Sequence, residues 1–348
     1  MAAPTRRRRK RIASTSAHCD SRPRGGESLV GEPGRVTLFG GAGFIGSRIA
    51  LACVRAGHRV RVVDGLLART SGRRENLAAI ASAIELVARR VEDVDDLEGV
   101  IADSDAVVDC MGWTQHRAAL EDPLYDLSLN LASHVHWLHR VPAGTLAKVV
   151  YLGSRGQYAD PPAGDITEET PQEPRDVQGI HKAAAERHFL LASSLRNLDV
   201  VTLRLPACIG PNQPADGEDI GLVGGFARDL LAGHPIRVYG RGRRRAIAYV
   251  DDVAEIVCRL VRLPTHGFEA YNLRGEVLPI EDIAARLIAI VGRGAVEVSD
   301  LPREIAAIDS GAAAFREDRL RAALGGDLPR TPIDEALAAT VRHLAGVR

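Results

Sequence analysis

The strongest structural signal in this sequence is the stretch Arg35-Val36-Thr37-Leu38-Phe39-Gly40-Gly41-Ala42-Gly43-Phe44-Ile45-Gly46. It begins with the pattern of a buried β-strand, and a helical pattern from Ser47 to Ala56 follows the glycines. Glycines at such a junction let the backbone turn sharply and approach a pyrophosphate, while free N–H groups and the positive helix end face the anion. A tight turn without a ligand is the alternative. The place of the turn at the first strand-to-helix junction favours dinucleotide binding, with Gly40, Gly43, Phe44, Ile45 and Gly46 as the contact residues.

A carboxylate follows the second predicted strand. Arg59 to Val63 has the pattern of a buried strand, and Asp64 comes directly after it. A carboxylate here accepts hydrogen bonds from the adenosine ribose and repels a 2′-phosphate, so the sequence favours NAD over NADP. Arginines nearby leave binding of the 2′-phosphate of NADP open. The alternative role of Asp64 is that of a simple turn residue.

Strand and helix patterns alternate from residue 35 onward, which is typical of a parallel sheet with helices on both faces. We therefore predict an α/β fold with a Rossmann-type doubly wound parallel sheet over residues 35–210, to which some later elements return. Residues 211–348 contain more Gly and Pro and mix short strands with helices. They are predicted to form mainly a smaller α/β lobe that binds the substrate.

The charge is balanced over the whole chain but not along it. The 348 residues include 45 basic and 45 acidic side chains, so no net field attracts nucleic acid or a membrane. Residues 1–34 contain the basic run Arg6-Arg7-Arg8-Arg9-Lys10-Arg11 and lack an apolar period, which predicts a disordered basic arm. Contact of this arm with nucleic acid or phosphate is an open alternative.

Cysteine usage and hydropathy bear on location and on metals. The five cysteines are far apart and have no metal-ligand spacing, which predicts reduced thiols, a cytoplasmic protein and no metal site. No run of 18 apolar residues is present, so no membrane-spanning helix is predicted.

Further motifs recur in a characteristic order after the glycine turn. They are Arg61-Val62-Val63-Asp64, Gly72-Arg73-Arg74-Glu75-Asn76-Leu77, Asp122-Pro123 with Asn130, Val150-Tyr151-Leu152-Gly153-Ser154 with Tyr158, Arg204-Leu205-Pro206, Gly210-Pro211-Asn212-Gln213, and Arg245 before Tyr249-Val250-Asp251-Asp252-Val253. Over about residues 35–345 the chain resembles the extended short-chain dehydrogenase/reductase family of nucleotide-sugar epimerases, dehydratases and reductases. The resemblance implies NAD as cofactor, a nucleotide-sugar as substrate, and Asn130 near the cofactor.

The catalytic helix of that family departs here from its usual pattern. The resemblance implies a tyrosine four residues before a lysine, so that both project from one helix face. In the family the lysine lowers the pKa of the phenol and holds the nicotinamide ribose of the cofactor. The phenolate takes the sugar hydroxyl proton while hydride passes between the sugar carbon and nicotinamide. Lys182 matches the lysine, but Gln178 occupies the tyrosine position. Because an amide has no proton to exchange, either another group serves or turnover is lost.

Three side chains are candidates for the missing proton-transfer group. Tyr158 matches a family tyrosine whose ordinary role is packing or substrate contact. His181 has a suitable intrinsic pKa but neighbours Lys182, and a surface or packing role is its alternative. His116 follows the fourth strand in a loop that, by resemblance, faces cofactor and substrate. Ser154 is expected to hydrogen-bond the reacting oxygen, with a structural serine at a strand end as the alternative.

Arg245 is the candidate for binding substrate phosphate. A guanidinium can hold a diphosphate with two hydrogen bonds, and Arg241, Arg243 and Arg244 make the segment strongly cationic. A solvated basic loop is the alternative, and Ala246 stands where the family has an acidic residue.

The favoured function is that of an NAD-dependent nucleotide-sugar epimerase acting by hydride transfer at a sugar carbon. A catalytically impaired dinucleotide sensor or partner protein is one alternative, since Gln178 replaces the tyrosine. A ketoreductase or dehydratase is another, although Arg155-Gly156 lacks the acidic pair of the family's dehydratases. The resemblance also implies a possible homodimer through helices at about Leu124 to His139 and Gly179 to Arg196.

Overall fold

The computed structural model describes residues 34–142, 144–160, 164–215, 220–309, 311 and 313–346. The predicted basic arm, residues 1–34, lies outside these ranges except for Gly34. The strands are β1 Arg35–Phe39, β2 Arg59–Val63, β3 Ile84–Val87, β4 Ala106–Asp109, β5 Lys148–Ser154, β6 Asp199–Leu205, β7 Ala207–Ile209, β8 Ile236–Tyr239, β9 Arg244–Tyr249, β10 Phe268–Asn272, β11 Glu276–Pro279 and β12 Val296–Ser299.

Helices connect most of these strands. They are α1 Phe44–Arg55, α2 Leu97–Ala102, α3 His116–Glu121, α4 Pro123–Leu127, α5 Ser133–Leu138, α6 Val177–Arg196, α7 Gly221–Leu231, α8 Val250–Arg262, α9 Ile280–Val291, α10 Arg303–Ile308, α11 Asp318–Ala323 and α12 Ile333–Gly346. Short 3₁₀ segments span Arg74–Ala83, Val91–Asp93 and Arg155–Gln157, and a π-helical turn, Ser128–Ala132, joins α4 to α5. None of the helices in the described ranges is both long enough and apolar enough to cross a bilayer.

Seven strands form one sheet in the order β10-β6-β5-β4-β1-β2-β3, and every pair in it is parallel. The chain first builds outward from β1 to β3 and then crosses to β4 on the other side of β1. Such a reversal leaves a crevice at the carboxyl ends of the central strands. This order confirms the predicted Rossmann-type doubly wound sheet.

Helices cover both faces of this sheet because alternate strand residues point to opposite sides. Leu38 packs with Ile49 of α1 and Val253 of α8 in one core. The next residue, Phe39, packs on the other side with aromatic residues of α5 and α6. Its ring meets that of Trp137 at a centroid distance of 5.1 Å.

A smaller lobe is built after residue 206. It contains the sheet β11-β9-β7, the pair β12-β8, and a core shared by α7, α9 and α12. The chain also returns to the large domain, since β10 pairs with β6 and α8 packs against α1. Strand β7 follows directly after β6, and β9 pairs with β7. Both strands therefore lie beside the carboxyl ends of the large sheet, where the two parts of the chain meet.

Candidate active site

A cavity of about 570 Å³ lies at the carboxyl ends of the large sheet, with walls from both parts of the chain. This is where a doubly wound sheet binds its ligand. The cavity brings together most of the residues that the sequence singled out, namely Gly40, Gly43, Phe44, Ile45, Gly46, Asp64, His116, Ser154, Gln178, Lys182 and Arg245.

The glycine turn has the geometry of an anion cradle. Gly40 has a φ of +74°, and a Cβ on Gly46 would lie 2.3 Å from the Gly40 carbonyl oxygen, so neither of these two positions accepts a side chain without strain. Helix α1 begins after Gly43 with no side-chain cap and no acidic residue in its first turn. The positive end of α1 therefore faces the cavity without an acidic residue in its own first turn, while the Phe44 N–H donates to Ser71 Oγ at 3.1 Å. The turn fits the pyrophosphate of a dinucleotide.

Asp64 is held rigidly beside this turn. Its carboxylate accepts the backbone N–H of Ala42 at 2.9 Å and that of Leu66 at 2.8 Å. Burial raises the pKa of Asp64, and these two hydrogen bonds oppose the rise. A carboxylate fixed at the end of β2 is placed to receive ribose hydroxyls, as the predicted preference for NAD requires.

Helix α6 supplies Gln178 and Lys182 one turn apart on the cavity side. Lys182 Nζ donates to the carbonyl oxygens of Met111, at 2.9 Å, and Leu152, at 3.3 Å. Burial lowers the pKa of this ammonium. Gln178 Nε2 donates to the Trp113 carbonyl oxygen at 2.9 Å, so the amide ties helix α6 to the loop after β4.

Asn130 lies behind the cavity wall rather than in it. Its Oδ1 accepts the Trp113 N–H at 3.0 Å, and its Nδ2 donates to the Trp113 carbonyl at 2.8 Å. The side chain is fully buried in the π-helical turn. The structure therefore places Asn130 as a support of the loop 111–114, with its Oδ1 3.0 Å from where a Cβ on the cavity-lining Gly112 would lie. Its contact with the cofactor stays a prediction.

Tyr158 and His181 do not reach the cavity. Tyr158 is fully buried, with its hydroxyl against Arg204 and 3.4 Å from Asn272 Oδ1. Burial raises the pKa of this phenol to about 12. His181 Nδ1 lies 2.6 Å from the buried carboxylate of Asp126. The structure does not bring either candidate to Ser154, because long-range packing that local sequence does not specify turns both inward.

His116 lies in the cavity wall, and its partner was missed by the sequence analysis. Its Nδ1 is hydrogen-bonded to a carboxylate oxygen of Asp176, the residue that caps helix α6. The histidine side chain is 48% exposed and the aspartate side chain 4% exposed. An aspartate just before a helical pattern signals an N-cap, but nothing local pairs it with a residue 60 positions earlier.

Ser154 ends β5 at the cavity. Its hydroxyl oxygen accepts the Gly156 N–H at 3.1 Å, which leaves the hydroxyl proton available to donate. The 3₁₀ segment that follows is closed by Gln157, whose side chain accepts the Ser154 N–H at 2.6 Å. Ser154 is thus held at the strand end by its own local turn.

Two arginines of the smaller lobe share one carboxylate at the cavity. Asp309 lies 2.6 Å from Arg243 Nη2 and 3.1 Å from Arg245 Nη2. Burial lowers the pKa of Arg245, and Asp309 opposes this. Two cations against one anion leave a net positive site, as phosphate binding requires. The sequence drew attention to the arginines but not to Asp309, which is 64 residues beyond Arg245.

Fold and site together define a dinucleotide-binding enzyme of the Rossmann class, with its glycine turn, acidic residue after β2, and Ser154 and Lys182 in one cavity. Residues 36–273 match the NAD dependent epimerase/dehydratase family, and the chain belongs to this family. The predicted family, the enzymatic nature of the protein and its NAD cofactor are thereby confirmed.

Similar proteins agree with this assignment. The chain is 28% identical over 312 residues to the UDP-glucose 4-epimerase of Mycolicibacterium smegmatis, covering 88% of this chain and 92% of that one. It is 28% identical over 279 residues to the dTDP-glucose 4,6-dehydratase of Streptomyces niveus, covering 77% and 81%. The solved UDP-glucose 4-epimerase of Thermus thermophilus in complex with NAD matches with a TM-score of 0.76 and 26% identity, covering 90% of this chain and 100% of that one.

Within the described ranges, no group of three or more His, Cys, Asp or Glu side chains is placed to hold a metal ion. The cysteines described there, Cys53, Cys110, Cys208 and Cys258, are all free thiols. Cys19 lies outside the described residues.

Proposed function

We propose that this protein is an NAD-dependent epimerase of a nucleotide-activated sugar and acts by transient hydride transfer at a sugar carbon. One observation carries the proposal. A single cavity is lined by the glycine turn, by Ser154 and Lys182, and by the arginine pair of the smaller lobe. A dinucleotide, a sugar and a diphosphate are the three ligand parts that these groups suit.

The polar groups of the large domain would orient the reacting sugar. Ser154 retains its hydroxyl proton for a sugar oxygen, since its own oxygen is occupied by the Gly156 N–H. Lys182 uses two of its three N–H bonds on backbone carbonyls and keeps one for a ligand hydroxyl. When bound, NAD supplies a reversible hydride acceptor.

The arginine pair would select a substrate that carries phosphate. Arg243 and Arg245 are mostly buried, and their shared carboxylate neutralises only one of the two charges. A diphosphate offers each guanidinium paired oxygens in place of Asp309. The binding energy of this part then holds the sugar against the end of β5, which raises the effective concentration of the reacting group.

Epimerisation is favoured over dehydration by the residues after Ser154. Family dehydratases carry an acidic pair there, whereas this chain has Arg155 and Gly156. Arg155 is buried and bound to Asp160 and to the carbonyl oxygen of Tyr158. These two positions therefore offer no carboxylic acid to expel a sugar hydroxyl.

We also propose that the enzyme is a cytoplasmic homodimer. Helices α4 and α6 pack against each other and carry exposed leucines, with Leu124 75%, Leu191 53% and Leu195 74% accessible. An apolar surface of this kind marks a protein interface, and a second copy of the chain would cover both helices at once. The free thiols noted above support a reducing compartment.

A second candidate function is that of a dinucleotide-binding sensor without turnover. It is favoured by Gln178, whose amide is bound to the Trp113 carbonyl and cannot exchange a proton. The two functions share the cofactor site and differ only in chemistry.

The two are separated by turnover assays on the purified full-length chain loaded with NAD. UDP-glucose, UDP-N-acetylglucosamine, UDP-glucuronic acid and dTDP-glucose are offered in turn, with product detected by NMR and reduced nicotinamide by absorbance. An epimerase converts at least one of them, and Ser154→Ala lowers that rate while NAD stays bound. NAD binding without conversion of any sugar supports the sensor instead.

A further inference from the structure

The reaction proposed above needs a proton acceptor, and helix α6 does not supply one at Gln178. Positioned proton transfer contributes about 10²–10⁴-fold to such a reaction. Within the part of the chain that the structure describes, the titratable side chains of the cavity wall, apart from the arginines and Lys182, are Asp64, Glu92, Cys110, Cys208, Tyr239 and His116. The acceptor must be sought among them.

Most of these groups are committed or unsuited. Asp64 is bound to two backbone N–H groups, and Glu92 is bound to Arg90 at 3.1 Å. Burial raises the pKa of Cys110 well above its ordinary value and that of Cys208 to about 12, so both thiols stay protonated at neutral pH.

Tyr239 ends β8 in the smaller lobe. Its carbonyl oxygen accepts a hydrogen bond from Arg243, one of the two arginines proposed to bind the diphosphate, and its phenol is hydrogen-bonded to the exposed Arg237. We therefore assign Tyr239 to the diphosphate end of the cavity. Among the described residues, His116 is the group that remains.

The geometry around His116 is that of an oriented base. Asp176 is buried and holds Nδ1 with one carboxylate oxygen, while its other oxygen accepts the Gly179 N–H at 2.7 Å. A carboxylate on Nδ1 fixes the proton there and leaves Nε2 to exchange protons. The ring itself is half exposed in the cavity wall.

His116 is also kept near Ser154. A Cβ on Gly156 would lie 3.4 Å from Ser154 Oγ and 3.9 Å from Asp176 Oδ1, so the serine and the aspartate flank the same glycine. Gln178 holds the Trp113 carbonyl of the same loop at 2.9 Å. The loop that carries His116 is therefore fastened to helix α6 at two points, by Asp176 and by Gln178.

We propose that His116, oriented by Asp176, is the proton acceptor and donor for the reacting sugar hydroxyl, and that Gln178 is a positioning residue for its loop. The assignment rests on the proposed epimerase function. In the oxidative half, the sugar O–H gives its proton to His116 Nε2. NAD, when bound, would accept the hydride of the carbinol C–H, so that the C–O single bond becomes a carbonyl. Epimerisation requires the hydride to return to the opposite face of that carbonyl carbon, while His116 Nε2 gives the proton back to the oxygen.

The test uses His116→Gln, Asp176→Asn and, as a matched control, His234→Gln, which changes an exposed histidine outside the cavity. His116→Gln should lower kcat by about 10²–10⁴-fold. KM for the sugar and the affinity for NAD should stay within about threefold of wild type, because binding groups are untouched. His234→Gln should leave all three unchanged. A second substitution, Gln178→Tyr in the His116→Gln chain, should restore part of kcat.

A spectroscopic readout tests the role of Asp176 without turnover. Asparagine still caps the helix, so Asp176→Asn should fold. In ¹⁵N NMR of wild type, His116 should show the Nδ1–H tautomer at neutral pH, and Asp176→Asn should lose this preference. If wild type converts a nucleotide-sugar and the kcat of His116→Gln lies within threefold of the wild-type kcat, the assignment of His116 is overturned while the proposed function stands. NAD-loaded wild type that converts no nucleotide-sugar overturns the proposed function, and the assignment with it.

Discussion

Replacing Gly46 with alanine is the sharpest test of the dinucleotide cradle. The added Cβ would lie 2.3 Å from the Gly40 carbonyl oxygen and 2.8 Å from the Gly41 Cα. Both neighbours are backbone atoms of the turn, so no flexible side chain can move aside. The turn itself has to open.

The size of the effect follows from these distances. Ordinary contacts of a Cβ begin near 3.4 Å, so the carbonyl must retreat by about 1 Å. A misplacement of that size in a preorganised site lowers a catalytic rate by about 10²-fold. We expect a loss of similar size in the affinity of the turn for the pyrophosphate. Overpacking of a tight site also lowers the free energy of unfolding by about 1–3 kcal/mol. We therefore expect the Kd for NAD to rise about 100-fold.

The assay is calorimetric titration of NAD into stripped protein, with urea unfolding in parallel. Gly225→Ala is the matched control, because a Cβ there meets no atom within 4 Å and Gly225 lies inside helix α7. That variant should bind NAD normally and gain about 0.5–1 kcal/mol in stability. If Gly46→Ala bound NAD as tightly as Gly225→Ala, the steric argument for the cradle would be refuted.

Three further predictions concern stability and assembly. Glu186→Ala should lower the free energy of unfolding by about 3–5 kcal/mol, since it leaves the buried guanidinium of Arg204 without its carboxylate; urea unfolding against wild type measures this. Leu195→Glu should convert the proposed dimer to a monomer in sedimentation velocity, and a monomeric wild type would contradict the proposed interface. Burial lowers the pKa of Lys148 from 10.5 to about 8, so the unfolded chain binds more protons between these values and stability should rise with pH across them, by up to about 3 kcal/mol. Lys148→Met should abolish that rise in urea titrations between pH 7 and 10.5, and an unchanged pH dependence would show that the ammonium is not responsible.

The cofactor half of the site was predictable because its signals are local. The glycine turn, Asp64 and Lys182 each follow from the period of a strand or helix and a fixed spacing. The predicted start of the first helix differs only slightly from the start in the structure. Helix α1 begins at Phe44, three residues before the predicted Ser47, because Gly43 is its N-cap and the helix starts inside the motif.

The catalytic half was not predictable to the same depth, because its contacts join distant segments. Tyr158 is turned away from the cavity by Arg204 and Asn272, which are 46 and 114 residues further along the chain. Asn130 faces Trp113 because a π-helical turn rotates it inward, and a motif match cannot report that rotation. Spacing drew attention to these residues but could not show which way each side chain points.

Helix α6 relates these two halves of the site. Asp176, Gln178 and Lys182 each bind a different point of one loop, at His116, at the Trp113 carbonyl and at the Met111 carbonyl. A tyrosine at position 178 would add a titratable phenol but would remove the amide that donates to Trp113. Glutamine instead fixes the loop and leaves proton exchange to a residue that the loop carries. Because Asp176, which holds His116 in this wall, is the cap of the same helix, a glutamine at position 178 and the proposed use of His116 are consistent with one arrangement.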